Sequence, residues 1–244
     1  MIVAIHQPQY LPWLGYLHRM AQVDVFVILD HVQFERRNYQ NRSQIRLDGE
    51  ARWLTVPVEQ HSQKERILDK RIDNRDGARP WGRNHFATLR HAYRDAVHFG
   101  TYAPFLKDIL ERSWERLTEL DAATLGFFKD AFSIRTRVVK SSQLGVEGAK
   151  SQLILNLCRA VKADALLVGF GGSRDYLDDA QFARHGIQIR YHPFTHPTYR
   201  QSGSAPFIPG LASVDLLFNE GPRSRSILLG DTPCMYEMPL LQQA

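Results

Sequence analysis

Residues Val25–Leu29 are continuously apolar, and the run stops at Asp30. A strand without a polar side must be covered on both faces, as strands are in a parallel sheet sandwiched by helices. The strand carrying this run reads as Val23–Leu29. Its surroundings repeat the theme. Ile2–Ile5 reads as a first strand and Leu14–Ala21 as the start of a helix. Later come strands at Thr136–Val139, Ala165–Val168 and Ile187–Tyr191, alternating with helices at Ala149–Val161 and Tyr176–Arg184. Such alternation implies right-handed crossovers and an α/β fold with a mostly parallel, Rossmann-like sheet. Trp53–Val58 reads as one more strand, closed by Pro57 and a polar loop.

Between residues 80 and 133 the period changes. Trp81, His85, Leu89 and Tyr93 recur every fourth residue and form one apolar helix face. Leu106, Ile109, Leu110, Trp114 and Leu117 read as a second such face, and Ala122 to Phe132 as a third helix. The expected organisation is a single α/β domain over 1–244 with a helical insert at about 80–133. Val214–Phe218 reads as a short helix packing back from a tail rich in Pro, Gly and Ser.

Hydrophobic residues make up 43% of the 244 and charged residues 23%, so a soluble globular chain is expected. The apolar runs are far too short to span a bilayer. The first residues lack the ordered charged, apolar and small-residue regions of a secretory leader. Cys158 and Cys234 are far apart, and Cys158 lies among Leu155, Leu157 and Ala160 as a core residue would. A cytoplasmic protein is the expectation. The net charge is +5. Arginines suit phosphate or carboxylate recognition, but the basic residues are scattered beside acidic ones, as in Glu65-Arg66 and Glu111-Arg112. That pattern argues against nucleic acid as a partner. The charge-dense stretch 60–80 reads either as exposed loop or as a phosphate contact.

Chemistry concentrates where strands end. In His6-Gln7-Pro8-Gln9-Tyr10-Leu11-Pro12-Trp13, amides and an imidazole follow the first strand, and the rings suit stacking on a sugar or base. His6 is the candidate general base. Asp30 ends the second strand and is expected beside His6 at the same sheet edge, as a second catalytic group. Gln33, Asn38, Asn41 and Arg42 follow it in a loop. That segment reads equally as an acid/base or phosphate site and as a solvated connector with an internal Asp–Arg pair. Gly171 and Gly172 form a turn between strand and helix where a ligand can approach backbone, with Tyr176 just beyond. His192 and His196 are four apart, but Pro193 and Pro197 prevent a helix and no acid or cysteine is near, so no metal site is expected. A loop closing over the site with His196, Tyr199 and Gln201 is the better reading.

These residues carry a resemblance. The run from His6 to Tyr16, the Asp30…Gln33-Phe34…Asn41-Arg42 segment, Gly169…Gly171-Gly172…Tyr176-Leu177, Pro193-Phe194…His196-Pro197…Tyr199…Gln201 and Ser213…Asp215…Phe218-Asn219 together resemble the WbqC-like family from residue 2 to about 221. The resemblance implies a role in bacterial surface polysaccharide (O-antigen) synthesis. The implied reaction is transfer of an aminoacyl (glycyl-like) or other acyl group to an amino sugar, and the resemblance carries over no catalytic residues, so the site candidates stand on chemical grounds. The implied substrate is a nucleotide-linked amino sugar, and the implied donor is ATP-derived adenylate or an acyl thioester, with an acyl or aminoacyl carrier protein as partner. A weaker likeness, in the strand–turn–helix–strand opening and Lys140-Ser141-Ser142, is to the nucleotidylyltransferase and pantothenate-synthetase superfamily. The likeness breaks where that superfamily has its His-x-x-His motif, because this chain has Tyr10-Leu11-Pro12-Trp13. Nucleotidylyl transfer or adenylate-forming ligation, and non-catalytic binding of a sugar nucleotide, are the alternatives.

Overall fold

A computed structural model describes residues 1–62, 64–75, 80–169 and 177–230. The chain runs β1 (Ile2–His6), α1 (Leu14–Ala21), β2 (Val25–Ile28), β3 (Arg42–Leu47), β4 (Glu50–Thr55), α2 (Trp81–Tyr93), α3 (Phe99–Leu110), α4 (Leu117–Ala131), β5 (Arg137–Lys140), α5 (Lys150–Ala160), β6 (Ala165–Val168), α6 (Asp179–Arg184), β7 (Gln188–Tyr191), α7 (Val214–Glu220) and α8 (Ser224–Leu229). Five strands form a parallel sheet in the order β5-β2-β1-β6-β7. The fold is α/β and Rossmann-like, as the apolar strands predict. Every residue of β2 and of β6 is buried.

Alternation along the strands divides the core. Val3, Val25, Val27, Leu166 and Val168 pack with Leu155 and Cys158 of α5 and Phe182 of α6. Ala4, Phe26, Ile28 and Leu167 belong to the larger core on the other side, with Leu14, Leu17 and Met20 of α1 and the buried faces of α2, α3 and α4. The predicted face Trp81, His85, Leu89 and Tyr93 is buried in α2. The second helical reading needs correction. Helix α3 stops at Leu110, Trp114 lies in the link with its indole N–H donating to the Ile109 carbonyl at 2.7 Å, and Leu117 opens α4.

The expected strand Trp53–Val58 is also corrected. Residues Glu50–Thr55 pair antiparallel with Arg42–Leu47 in a separate two-stranded hairpin. Its turn, Asp48-Gly49, has φ values of 52° and 80°, the left-handed pair that a two-residue hairpin turn requires. Among the described residues no helix is long and apolar enough to cross a membrane.

The topology fixes where a ligand fits. The chain builds outward from β1 through β2 to β5, then returns through α5 to β6 on the other side of β1. The strand order therefore reverses between β1 and β6. In open α/β sheets ligands occupy the crevice at the carboxyl ends of the strands at such a reversal.

Candidate functional site at the sheet reversal

A cavity of about 790 Å³ lies at this point, bounded by the ends of β1 and β6. From the opening loop it takes His6, Gln7, Gln9 and Trp13. From the loop after β2 it takes Glu35, Asn38 and Tyr39, and from the far side Gly169, His192 and Phe194. Its size suits a small organic ligand.

His6 closes β1. Its Nδ1 donates to the Gln7 carbonyl at 2.9 Å, so the neutral ring carries its lone pair on Nε2. Burial lowers its pKa to about 3, with the charge of Arg19 acting in the same direction. His6 is therefore unprotonated at neutral pH. The edge of its ring meets Tyr16 at a centroid distance of 4.9 Å. Gln7 is held from the next loop, with its Oε1 accepting from Gln40 Nε2 at 2.9 Å. Gln40 Oε1 in turn accepts the Glu35 N–H at 2.9 Å, and Asn38 Nδ2 donates to Glu35 Oε2 at 2.7 Å. Gln9 is buried, and its Oε1 has no hydrogen-bond donor among the described residues. Trp13 packs edge-on against Phe194 at 5.5 Å and lies over Gly15, where a Cβ would sit 2.3 Å from the indole ring.

The other sequence candidates lie elsewhere. The buried Asp30 carboxylate accepts from Ser141 Oγ, the Ser142 N–H and Ser142 Oγ, and so faces the end of β5. These bonds run away from His6, and Asp30 is not on the cavity wall. Gln33 is exposed and bridges to Arg66. Asn41 is buried and donates to the Val56 carbonyl at 2.8 Å. Arg42 belongs to β3, its guanidinium 4.0 Å above the Trp53 ring and bonded to the Arg37 carbonyl. Tyr10 is completely buried, its hydroxyl 2.8 Å from His85 Nδ1. Tyr199 and Gln201 both donate to Asp215 Oδ2 at 2.8 Å inside the core. His196 and Tyr199 border a second cavity of about 550 Å³, along with His18 and His98. Gly171, Gly172 and Tyr176 lie outside the described residues.

Sequence reasoning passes over Arg19, Glu35 and Tyr39, and weighs His192 only as a metal ligand. Arg19 is only 9% exposed and reaches the end of β6. His192 Nε2 lies 2.6 Å from His18 Nδ1, and burial, with His18 and Arg19, lowers the His192 pKa to about 4. One signal was available: Glu35 and Tyr39 flank Asn38 in the loop that follows a buried parallel strand, the loop expected at a ligand-binding edge.

Comparison with known proteins places the chain. The WbqC-like protein family matches over residues 7–227. The "Uncharacterized protein Rv1507c" of Mycobacterium tuberculosis is 31% identical over 229 residues, covering 93% of this chain and 96% of the relative. No solved structure matches the chain.

Proposed function

The chain belongs to the WbqC-like protein family, and from that premise we propose that it is a transferase forming an amide on an amino sugar. The observation that supports this reading best is a set of acceptor-bearing residues lining one cavity. His6 presents the lone pair of Nε2, Gln9 an undonated Oε1, and Glu35 a carboxylate. Such a lining asks for N–H groups, and an amine supplies them.

In the proposed reaction the sugar amine attacks the carbonyl of an activated acyl or aminoacyl donor, either a thioester or an adenylate. A C–N bond forms, and the C–S or C–O bond to the leaving group breaks. The amine proton passes to His6 Nε2 and from there to the leaving group. Gln7 and Gln9 orient the sugar, and Trp13 covers its apolar face. Asp30 holds the sheet edge on which this set is mounted. Nucleotidylyl transfer has less support, because the Tyr10 hydroxyl is committed to His85 in the core and is unavailable to a phosphate.

The test is to incubate the protein with UDP- or dTDP-linked amino sugars and either a glycyl or acetyl thioester, or ATP with glycine, and to follow the sugar by mass spectrometry. The expected product is the acylated amino sugar, with none from the matching hydroxy sugar. His6→Ala is expected to lower the rate by about 10²–10⁴-fold, the usual worth of a general base. Absence of product with both donor classes, or full activity in His6→Ala, would overturn the reading.

A further inference from the structure

Arg19 is a cation in an unusual position. It lies in the last turn of α1 and is 9% exposed, yet it borders the cavity. Among the described residues its buried Nε has no hydrogen-bond partner, and no carboxylate pairs with its guanidinium. A buried charge left in this state is costly unless something compensates it. The sequence makes room for the guanidinium at the carboxyl end of β6. A Cβ on Gly169 would lie 2.8 Å from Arg19 Nη1 and 3.3 Å from Cζ. The charge is felt by both cavity histidines, since Arg19 lowers the proton affinity of His6 and of His192. The guanidinium therefore lies at the carboxyl end of β6, beside the reversal of strand order, within electrostatic reach of two neutral imidazoles.

We infer that Arg19 binds the phosphoryl groups of a nucleoside diphosphate in this cavity. Its planar fork matches phosphate oxygens, and a volume of about 790 Å³ admits a ligand of nucleotide size. An aromatic step at the margin suits the base. Tyr39 is on the cavity wall and is held by packing against Trp53 at 5.6 Å, which itself lies under the Arg42 guanidinium at 4.0 Å. The inference rests on the proposed function only in taking this cavity as the substrate site. It names the nucleotide-linked end of the substrate, whereas the acceptor lining concerns the amine.

Calorimetric titration of the full chain with UDP, inorganic diphosphate and uridine tests it. UDP and diphosphate are expected to bind, increasingly weakly as salt rises, and uridine at least tenfold more weakly than UDP. Arg19→Met, which keeps the length of the side chain and removes its charge, is expected to weaken UDP and diphosphate binding by about 10- to 100-fold. Its melting temperature without ligand is expected to equal or exceed that of the unsubstituted chain, because an uncompensated buried charge is gone. Gly169→Ala displaces the guanidinium and is expected to weaken the same two ligands. Should Arg19→Met fail to fold, Arg19→Lys retains the charge without the fork and is expected to bind diphosphate measurably more weakly. Equal diphosphate binding in the substituted and unsubstituted chains, or no binding of UDP and diphosphate at all, overturns the inference. Binding through Arg19 without any amide product would sink the amide reading alone. Equal acylation of free and nucleotide-linked amino sugars, unchanged in Arg19→Met, would sink the nucleotide inference alone.

Discussion

Replacing Asp30 separates a clamp from a catalyst. The carboxylate accepts three hydrogen bonds: at Oδ1 from Ser141 Oγ at 3.0 Å and the Ser142 N–H at 2.9 Å, and at Oδ2 from Ser142 Oγ at 2.7 Å. Ser141 and Ser142 directly follow β5, so these bonds tie the ends of adjacent strands β2 and β5. A hydrogen bond to a charged group contributes about 1.5–3 kcal/mol. The three share one carboxylate and two neighbouring serines, so they do not add. Asp30→Ala also takes the acceptor from the buried Ser141 hydroxyl, while the groups of the exposed Ser142 can turn to water, and a loss of about 3 kcal/mol follows. Against a usual total of about 5–15 kcal/mol, that loss is large.

Equilibrium urea unfolding reads the effect as a fall in midpoint of about 1 M or more, taking a slope of about 3 kcal/mol/M. Asp30→Asn keeps one acceptor oxygen and is expected to lose about 1–2 kcal/mol. A double-mutant cycle between Asp30→Ala and Ser142→Ala is expected to show coupling of about 0.5–3 kcal/mol. An unchanged midpoint in Asp30→Ala, with no coupling to Ser142, refutes the clamp. Full stability in Asp30→Asn with amide formation abolished would return Asp30 to the catalytic role that its position at a strand end suggests.

Two other substitutions probe the interior. Asp121 in α4 is buried, neither carboxylate oxygen has a hydrogen-bond partner among the described residues, and burial raises its pKa well above the ordinary value. The folded state then holds the proton more tightly than the unfolded chain. The stabilisation from this group is full below the unfolded value near pH 4 and is lost as pH rises toward the folded one. Asp121→Asn is expected to remove that dependence, so that urea stability measured from about pH 4 to 7 falls less steeply than in the unsubstituted chain, by up to about 1.4 kcal/mol per pH unit; parallel curves would refute this. Gly82 lets α2 meet the end of α3, and a Cβ there would be 1.8 Å from the Leu110 carbonyl oxygen. Gly82→Ala is expected to destabilise the protein by about 1–3 kcal/mol, read as a lower melting temperature, and an unchanged melting temperature would count against the close contact.

What the sequence reveals depends on whether one residue's neighbours decide its environment. Val25–Ile28 and Ala165–Val168 are apolar on both faces, so their place inside a parallel sheet is legible without knowing what covers them. The hairpin strand Arg42–Leu47 is not, because its pattern conflicts with its burial. Ser43 is buried by a bond to the Leu11 carbonyl, and Arg46 by bonds to Gln201 and to the carbonyls of Ala205 and Pro206. The Asp48-Gly49 pair is the local signal for that turn. The opening loop is legible in part, since His6, Gln7, Gln9 and Trp13 reach the cavity while Tyr10 turns into the core. Asp30 looks catalytic at a strand end, because its serine partners come from the strand that pairs beside it much later in the chain. Arg19 is hidden for a related reason. Helix α1 buries Leu14, Gly15, Tyr16, Leu17 and Met20 as well as Arg19, so no polar face marks the arginine as exposed or enclosed. Only when β6 lies beside β1 does Gly169 meet its guanidinium, and a basic residue in a short helix becomes a charge facing a cavity.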